Sequence, residues 1–422
     1  MKNAHSAHST AHAPASSSSP GQQAFGQRFG EPLGSTTGGT NLSRGNSMKR
    51  SVRKIVHITA TYPPALGGME GVAQALARHQ YEVGTRVSVL TSDQGRNGAP
   101  PEPEPFPVTR LKSFIVAHTP IIPSLAYKLF GVDPESIIHM HVCQAYTPEM
   151  VWLCARLRNI RYVVHTHGPD VMASGLAGPL LKPYKKVLLQ RVFRDAGAVI
   201  VLTDDDRNLV CAKYRIPPER VVVVPNGSDH EIVPQPKSLG DRRKVRRLLF
   251  VGRLSIQKNL PLLLQAVALY MERYDSNIQL TMVGEGELRP AIEAEIDRLG
   301  LATTAALRGA FYGEALESIY QASDLLLLTS FEESFPLVFI EAMTKALPIV
   351  SVNIPSVRNV VTSGVNGFLA EPTPEAVAEA IHSILTDKEF YAEVSRRNLA
   401  KSHDYRWNAV VEKISRIYDR LS

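Results

Sequence analysis

Short apolar runs alternate with amphipathic stretches of helix length from Ile55 onward, and this alternation restricts the possible folds more than any other feature. The strand candidates are IVHIT (55–59), RVSVLT (86–91), IIHMHV (137–142), YVVHTH (162–167), AVIVLT (198–203), VVVVP (221–225), LLFVG (248–252), QLTMVG (279–284), LLLLTS (325–330), IVSV (349–352) and GFLA (367–370). Runs that are apolar on both faces are typical of parallel strands covered by helices. The pattern predicts an α/β protein with doubly wound parallel sheets.

Two stretches without this alternation divide the chain. Residues 1–50 are rich in Ser, Gly, Ala and Thr without apolar periodicity, so we predict a disordered low-complexity tail. PQPKSLGDRRKVRR (234–247) combines two prolines with a dense run of charge, which indicates a join. The predicted organisation is a Rossmann-like domain at 51–235, a linker at 236–246, a second Rossmann-like domain at 247–398, and a C-terminal helix within 399–422 that packs back on the first domain.

Composition excludes several classes of protein. Three cysteines without a CxxC argue against a disulfide scaffold or a cysteine-rich zinc module. Apolar runs such as Leu325–Leu328 are far shorter than the ~18 residues of a membrane span. The net charge of +7 favours anionic partners, yet no helix-turn-helix, zinc finger or aromatic–basic motif indicates nucleic acid. We therefore expect a cytoplasmic protein without a nucleic-acid partner.

Two strand-to-helix junctions carry residues that suit a phosphate group. Gly67 and Gly68 precede a predicted helix, where adjacent glycines let backbone N–H groups approach an anion. Arg253 and Lys258 follow the strand at 248–252, and such a pair of cations can neutralise a diphosphate. Neither a P-loop nor a GxGxxG is present, so ATP hydrolysis and hydride transfer lose support.

The segment SFEESFPLVFIEAM (330–343) contains two spaced carboxylates, Glu333 and Glu341. Eight helical steps would separate them by about 12 Å, too far for paired acid–base chemistry. We instead place Glu333 in the loop before a helix that has Pro336 in its first turn. An anion then faces the backbone amides near residues 335–338, with Glu333 beyond it and Glu341 on hydroxyl groups behind it. This arrangement predicts a site for a nucleotide sugar.

Two HxH pairs raise a competing hypothesis. His139 and His141 lie in one predicted strand, and His165 and His167 end another. A zinc site needs a third protein ligand and an open position for water, and none follows at suggestive spacing. We therefore predict strand-end or core histidines and no metal, with an HxH metallohydrolase as an alternative.

Seven segments occur together in one order. They are YPPALGGME, HTHGPD, VVVVPNGSD (221–229), VGRLSIQKNL, MVGEGELR (282–289), ASDLLLLTSFEESFPLVFIEAM and SGVNGFLAEP (363–372). With this set the chain resembles the family 4 glycosyltransferases, retaining enzymes of the group 1 type, from residue 54 to the C-terminus. The resemblance implies the GT-B fold, in which two Rossmann-like doubly wound parallel-sheet domains face a central cleft.

The resemblance also implies residue roles. Arg253 and Lys258 would hold the diphosphate as leaving group, Glu333 would lie beside the donor sugar, and His167 would approach the transferred sugar. The other implied contacts are Gly67 and Gly68 near the donor phosphate, Ser334, Phe335, Pro336, Leu337 and Val338 in the donor loop, Glu341 on the ribose, and Asp170 on the acceptor side. Ser334 and Ala346 stand where relatives usually have glycine, which leaves the preference for nucleotide and sugar open.

The predicted activity is retaining, metal-independent transfer of a hexose, with mannose as one candidate, from a GDP- or UDP-linked donor. The acceptor would be a hydroxyl of a glycan or lipid-linked oligosaccharide, as in exopolysaccharide, capsule or lipopolysaccharide synthesis. The nucleotide-diphosphate sugar is a co-substrate, and no cofactor is expected. Alternatives are a GT-B nucleotide-sugar epimerase or hydrolase and a non-catalytic nucleotide-binding protein.

A basic amphipathic segment, GPLLKPYKKVLLQRVFR (178–194), bears on localisation. Such a helix could lie on an anionic membrane. We favour a surface helix whose apolar face packs on the first sheet, since this amphipathicity is common in globular proteins. Peripheral attachment to the cytoplasmic face of a membrane is the alternative.

Overall fold

The computed structural model describes residues 53–65, 68–95, 103–116, 119–142, 146–168, 185–240 and 245–421. The tail predicted at 1–50, Gly67 and Asp170 lie outside these ranges, as does the first part of the 178–194 segment.

The first half of the described chain contains a parallel sheet of seven strands and a short antiparallel hairpin. Its strands are β1 Lys54–Ile58, β2 Arg86–Ser92, β3 Val108–Leu111, β4 Phe114–Val116, β5 Thr119–Ile121, β6 Ile137–Val142, β7 Arg161–Thr166, β8 Ala198–Val201 and β9 Val221–Val223. The sheet order is β3-β2-β1-β6-β7-β8-β9, and β4 pairs with β5. The order reverses direction between β1 and β6, which creates a crevice at the carboxyl ends of these two strands.

The second half contains a parallel sheet of six strands. They are β10 Arg246–Val251, β11 Ile278–Val283, β12 Ala305–Leu307, β13 Leu325–Leu328, β14 Ile349–Val352 and β15 Phe368–Ala370. Their order is β12-β11-β10-β13-β14-β15, so the corresponding crevice lies between β10 and β13.

Helices cover the sheets. They are α1 Gly68–Glu82, α2 Leu125–Phe130, α3 Thr147–Arg158, α4 Gln190–Asp195, α5 Asp204–Tyr214, α6 Leu260–Arg273, α7 Arg289–Arg298, α8 Gly313–Ala322, α9 Leu337–Thr344, α10 Pro355–Arg358, α11 Pro374–Thr386, α12 Lys388–Ser402 and α13 Trp407–Leu421. A π-helical turn at Lys185–Leu189 precedes α4. The last helix, α13, buries Trp407, Ile414 and Tyr418 against Ile55 and Val163 of the first sheet.

The predicted fold class is confirmed, because two doubly wound Rossmann-like sheets account for the described chain. Every predicted strand is present within a few residues of its expected bounds. The sequence analysis missed β3, β4, β5 and β12, which have three or four residues each.

Candidate active site

The crevice of the second sheet contains a half-buried ion pair. Lys258 ends a 3₁₀ turn after β10, and Glu333 lies in the loop after β13. The Lys258 Nζ atom lies 2.5 Å from Glu333 Oε1, with 18% and 12% of the two side chains exposed. The Ser330 hydroxyl donates to the same carboxylate oxygen at 2.6 Å. The predicted loop position of Glu333 is therefore observed, and its carboxylate is held by two donors.

Backbone contacts between loops fix this pair. Thr329 donates its hydroxyl to the carbonyls of Lys258 and Asn259 at 3.0 Å. The Phe331 N–H donates to the Gln257 carbonyl at 2.9 Å. Asn259 has φ +47°, a left-handed conformation that lets the chain turn from the Lys258 loop into α6. Loops from β10 and β13 thus form one unit.

Arg253 lies at the mouth of the same crevice. It is exposed and makes no side-chain hydrogen bond or ion pair within the described ranges. The loop that carries it packs on the loop after β11, since the Leu254 N–H donates to the Glu285 carbonyl at 3.0 Å. A Cβ atom at Gly284 would lie 1.8 Å from the Gly252 carbonyl oxygen, so only glycine permits this approach. Arg253 is therefore a cation on a fixed backbone with its guanidinium open to a ligand.

Glu341 occupies a separate environment on α9. The Tyr320 hydroxyl donates to its Oε2 at 2.6 Å, and His230 Nε2 lies 3.7 Å from its Oε1. Complete burial raises the pKa of Tyr320, so the phenol stays a neutral donor. His230 also lies 3.5 Å from Glu317, whose pKa is lowered by its hydrogen bond from Lys345. The Glu341 carboxylate is thus oriented by Tyr320 of α8 and lies near His230, which precedes the second sheet.

The start of α9 differs in detail from expectation. Pro336 is the residue that precedes the helix rather than lying in its first turn. The Leu337 N–H donates to the Phe335 carbonyl at 2.9 Å, which corrects the expectation that this amide faces an anion. Phe335 and Pro336 are buried, Val338 is half-buried and Ser334 is exposed. The donor loop therefore offers an anion fewer free amides than the sequence indicated.

Five histidines lie on one face of the first sheet, towards the carboxyl ends of its central strands. His57 pairs with His139 across β1 and β6, and His141 pairs with His165 across β6 and β7. His167 follows β7, and because side chains alternate along a strand it shares the face of His165. Burial lowers the pKa of His57 and of His167 to about 4, and lowers those of the other three as well. All five imidazoles are neutral near pH 7.

This cluster overturns one expectation. A third histidine does lie near each HxH pair, since His57, His139 and His141 form one group and His141, His165 and His167 another. Within each group the possible ligand atoms lie within 4.8 Å of one another. The spacing rule failed because strand pairing, not distance along the chain, brings these rings together.

One contact joins the two crevices. A Cβ atom at Gly168 would lie 2.7 Å from the hydroxyl oxygen of Ser334. Gly168 follows His167, and Ser334 follows Glu333. The structure therefore brings the loops of His167 and of Glu333 together across the cleft, with Lys258 paired to the latter. Gly68 begins α1, while Gly67 and Asp170 are outside the described residues.

Several residues of the site were not found from the sequence. They are His57, Gln80, His230, Tyr320 and Tyr418. His57 had a recognisable signal, a polar residue within an otherwise apolar strand. Gln80, Tyr320 and Tyr418 lie on helices, and His230 lies in a connecting segment. The sequence around each of these four residues does not indicate its hydrogen bond or ion pair with a distant side chain.

Comparison with known proteins agrees with this geometry. The family "Glycosyltransferase Family 4" matches residues 66–232, and "Glycosyl transferases group 1" matches residues 234–401. The chain belongs to these GT-B glycosyltransferases, and it transfers a sugar from a nucleotide sugar.

Two relatives show the range of the family. An uncharacterized glycosyltransferase of Methanocaldococcus jannaschii is 24% identical over 397 residues, which cover 86% of this chain and 97% of that protein. The GDP-mannose:cellobiosyl-diphosphopolyprenol alpha-mannosyltransferase of Komagataeibacter xylinus is 24% identical over 388 residues, or 89% and 96% of the two chains. Among solved structures, Anabaena HepE in complex with UDP and glucose superposes with a TM-score of 0.67 at 20% identity, covering 87% of this chain and 99% of that one.

Two findings concern the membrane. Among the helices of the described ranges, none combines the length and apolar character needed to cross a bilayer. In the described part of the 178–194 segment, Leu189, Val192 and Phe193 are buried in the core of the first half. Val187 is 55% exposed. The apolar face of α4 thus packs inward, as we favoured.

Proposed function

We propose that this glycosyltransferase moves a hexose, with retention and without a metal ion, from a nucleoside-diphosphate sugar to a hydroxyl of a glycan or lipid-linked oligosaccharide. The observation that carries the proposal is the approach of Gly168 to Ser334. Because Gly168 follows His167 and Ser334 follows Glu333, this approach supports a single cleft in which an imidazole from one half and a lysine–carboxylate pair from the other would face a sugar diphosphate.

The donor diphosphate would lie on the second half. Arg253 has an unpaired, exposed guanidinium, and Lys258 adds a second positive charge at the same crevice. As the bond between the anomeric carbon and the phosphate oxygen breaks, negative charge grows on the diphosphate and these cations stabilise it. A dianionic ligand would also compete with Glu333 for the Lys258 ammonium group, which leaves that carboxylate to face the sugar.

The acceptor hydroxyl would attack from the same face that the diphosphate leaves. Its oxygen forms the new bond to the anomeric carbon, and its proton passes to the departing phosphate oxygen. No covalent sugar–enzyme intermediate is formed in this scheme. Glu341 would bind the ribose hydroxyls, because its carboxylate is oriented by Tyr320 and remains 19% exposed.

The names of relatives support a choice among donors. Two of them, from Komagataeibacter xylinus and Xanthomonas oryzae, are mannosyltransferases that use GDP-mannose and a polyprenol-linked sugar. We therefore propose GDP-mannose and a lipid-linked acceptor as the first pair to test, with UDP-sugars second. Synthesis of a polysaccharide is the corresponding role.

Calorimetry with GDP and UDP, followed by transfer assays with the matching sugars, tests the proposal. Arg253→Met and Lys258→Met should weaken nucleotide binding at least tenfold, since each removes a cation from the diphosphate. Arg298→Met is the matched control, because Arg298 is a surface cation of the same half paired with Glu295. Absence of binding by either nucleotide to folded protein would refute the assignment.

Product analysis separates the finer claims. Release of free sugar or an epimerised donor without acceptor would identify the alternative hydrolase or epimerase. Full activity in a chelator is expected, and its loss would contradict metal independence. Nuclear magnetic resonance of the product gives the anomeric configuration, and inversion would refute retention.

Peripheral membrane association is a second candidate, favoured by the exposed Val187 within the basic 178–194 segment. Replacement of Lys185 and Lys186 by Glu should weaken sedimentation with anionic vesicles, whereas the control Lys388→Glu should not. Equal binding by all three proteins would exclude this segment as the membrane contact.

A further inference from the structure

Seven buried or half-buried side chains on one face of the first sheet form a continuous hydrogen-bonded chain. In bonding order its members are His167, His141, His57, Gln80, Tyr418, His139 and His165. We call this set the histidine chain. Strands β1, β6 and β7 supply the histidines, α1 supplies Gln80, and α13 supplies Tyr418.

The first arm of the histidine chain runs from the cleft to α1. His167 Nε2 lies 2.9 Å from His141 Nδ1, and His141 Nε2 lies 3.1 Å from His57 Nδ1. His57 Nε2 lies 2.8 Å from the Gln80 carbonyl oxygen. Each of these imidazoles therefore uses Nε2 towards Gln80, and His141 and His57 use Nδ1 towards the cleft.

The second arm returns from α1 to the cleft. The Gln80 amide nitrogen donates to the Tyr418 hydroxyl oxygen at 3.1 Å, and that hydroxyl lies 2.5 Å from His139 Nδ1. His139 Nε2 lies 3.0 Å from His165 Nδ1. The two arms end side by side, because the rings of His165 and His167 stack with their centres 4.4 Å apart.

A neutral imidazole has one N–H donor and one acceptor nitrogen, so every bond in such a chain fixes the direction of the next. For His167, His141 and His57, only two arrangements are consistent, one the reverse of the other. The Gln80 amide selects between them: its oxygen can only accept from His57, and its nitrogen can only donate to Tyr418. His57, His141 and His167 then carry their proton on Nε2, and His139 and His165 do so as well when the Tyr418 hydroxyl donates to His139 Nδ1.

We propose that Gln80 is a positioning residue that holds His167 in its Nε2–H tautomer, with an unprotonated Nδ1 as the acceptor at the cleft end of the chain, and that Tyr418 orients the Gln80 amide. His167 Nδ1 is buried and has no partner within the described part of the chain, and His165 Nε2 at the other end is equally unpaired. The role of His167 towards a substrate rests on the proposed transferase function, whereas the tautomer of His167 does not depend on that function.

A metal ion in the same cluster is the competing arrangement. It would explain the proximity of three imidazoles but not the presence of Gln80 and Tyr418, which complete an unbroken sequence of donors and acceptors. In either group it would also require a lone pair from His141, whose two ring nitrogens already form hydrogen bonds. The hydrogen-bonded chain accounts for the six short polar contacts in the cluster.

Nitrogen NMR of full-length protein labelled with ¹⁵N-histidine at pH 8 tests the tautomer directly. We expect protonated Nε2 and unprotonated Nδ1 for His57, His139, His141, His165 and His167, each assigned by a single His→Gln variant. The Nδ1–H form at His167 in the unmodified protein would overturn the proposal, whether or not any variant folds. So would a stoichiometric transition metal retained through purification.

Two variants of α1 give the functional readout. Gln80→Leu removes the anchor, and we expect a mixture of His167 tautomers with a two- to tenfold fall in kcat. Nucleotide Kd should change less than twofold, since Gln80 is remote from the diphosphate crevice. Gln80→Glu keeps an acceptor for His57 and should retain the His167 tautomer.

Gln74→Leu is the matched control, because Gln74 lies on the same helix and bonds to Glu104 instead. An unchanged His167 tautomer in folded Gln80→Leu would refute the positioning role. If the tautomers respond as expected while no donor binds, the histidine chain stands and the proposed transferase function fails.

Discussion

Lowering the pH from 7.5 to 5 is expected to remove several kcal/mol from the free energy of unfolding, because the histidine chain is buried in its neutral form. A histidine whose pKa is depressed in the folded state binds fewer protons there than in the unfolded chain. Stability then rises with pH between the folded and unfolded pKa values and falls as the solution is acidified. The window runs from the unfolded value of 6.5 down to about 4, the pKa of His57.

The size of the effect follows from that interval. For His57, with a pKa of about 4 in the folded protein, the loss between pH 7.5 and 5 is about 2 kcal/mol. His167 has the same depressed pKa and adds a loss of the same sign. His139, His141 and His165 add losses of the same sign. Domains are stable by about 5–15 kcal/mol, so acid unfolding should begin near pH 5.

Urea unfolding followed by circular dichroism at several pH values measures this loss. His57→Gln removes one titrating group while keeping a polar side chain. Its free energy of unfolding should therefore fall by about 2 kcal/mol less between pH 7.5 and 5 than that of the unmodified protein.

His79→Gln is the control. Hydrogen bonding to Asp229 raises the pKa of His79, so its contribution is present below the unfolded pKa and is lost as pH rises through the folded one. This variant should keep the acid decrement. A free energy of unfolding that stays constant between pH 7.5 and 5 would refute the reasoning.

Two further predictions concern the second half. Gly284→Ala should cost more than about 3 kcal/mol, because the new Cβ would overlap the Gly252 carbonyl and the φ of +142° is unfavourable for alanine; urea unfolding measures it, and a cost below 1 kcal/mol would contradict the contact. In a double-mutant cycle, Lys258→Met and Glu333→Gln should each destabilise the protein by about 2 kcal/mol, with a coupling of at least about 1 kcal/mol, since each single change leaves a half-buried charge without its opposite charge. Additive costs would show that the ion pair contributes nothing.

Much of the fold could be predicted because its information is local. Strands such as β6 and β13 are buried on every residue, so their apolar runs stand out from the flanking sequence. Apolar residues at helical spacing from Trp407 to Tyr418 predict helix α13. Turn geometry was less accessible: Pro336 fits either the first helical turn or the position before it, and only the loop conformation decides.

The candidate site was partly predictable for a related reason. Lys258 and Glu333 follow strands directly, and the carboxyl ends of parallel strands meet at one edge of a sheet. Their mutual hydrogen bond could not be foreseen, because the two residues are 75 positions apart. Neither segment indicates that β10 and β13 are neighbours in the sheet. The histidine chain was missed for the same reason, since it depends on β1 lying beside β6.

The position of α13 has a consequence for biosynthesis. The first sheet is complete in sequence once Val223 has left the ribosome, yet its face remains open until Trp407 and Tyr418 arrive. Until then the cluster that contains Ile55 and Val163 lacks the apolar side chains of α13, and Gln80 lacks its phenol partner. The amino-terminal half therefore cannot finish folding before the C-terminal helix has been synthesised. A nascent chain arrested before Trp407 would expose apolar surface that chaperones can bind.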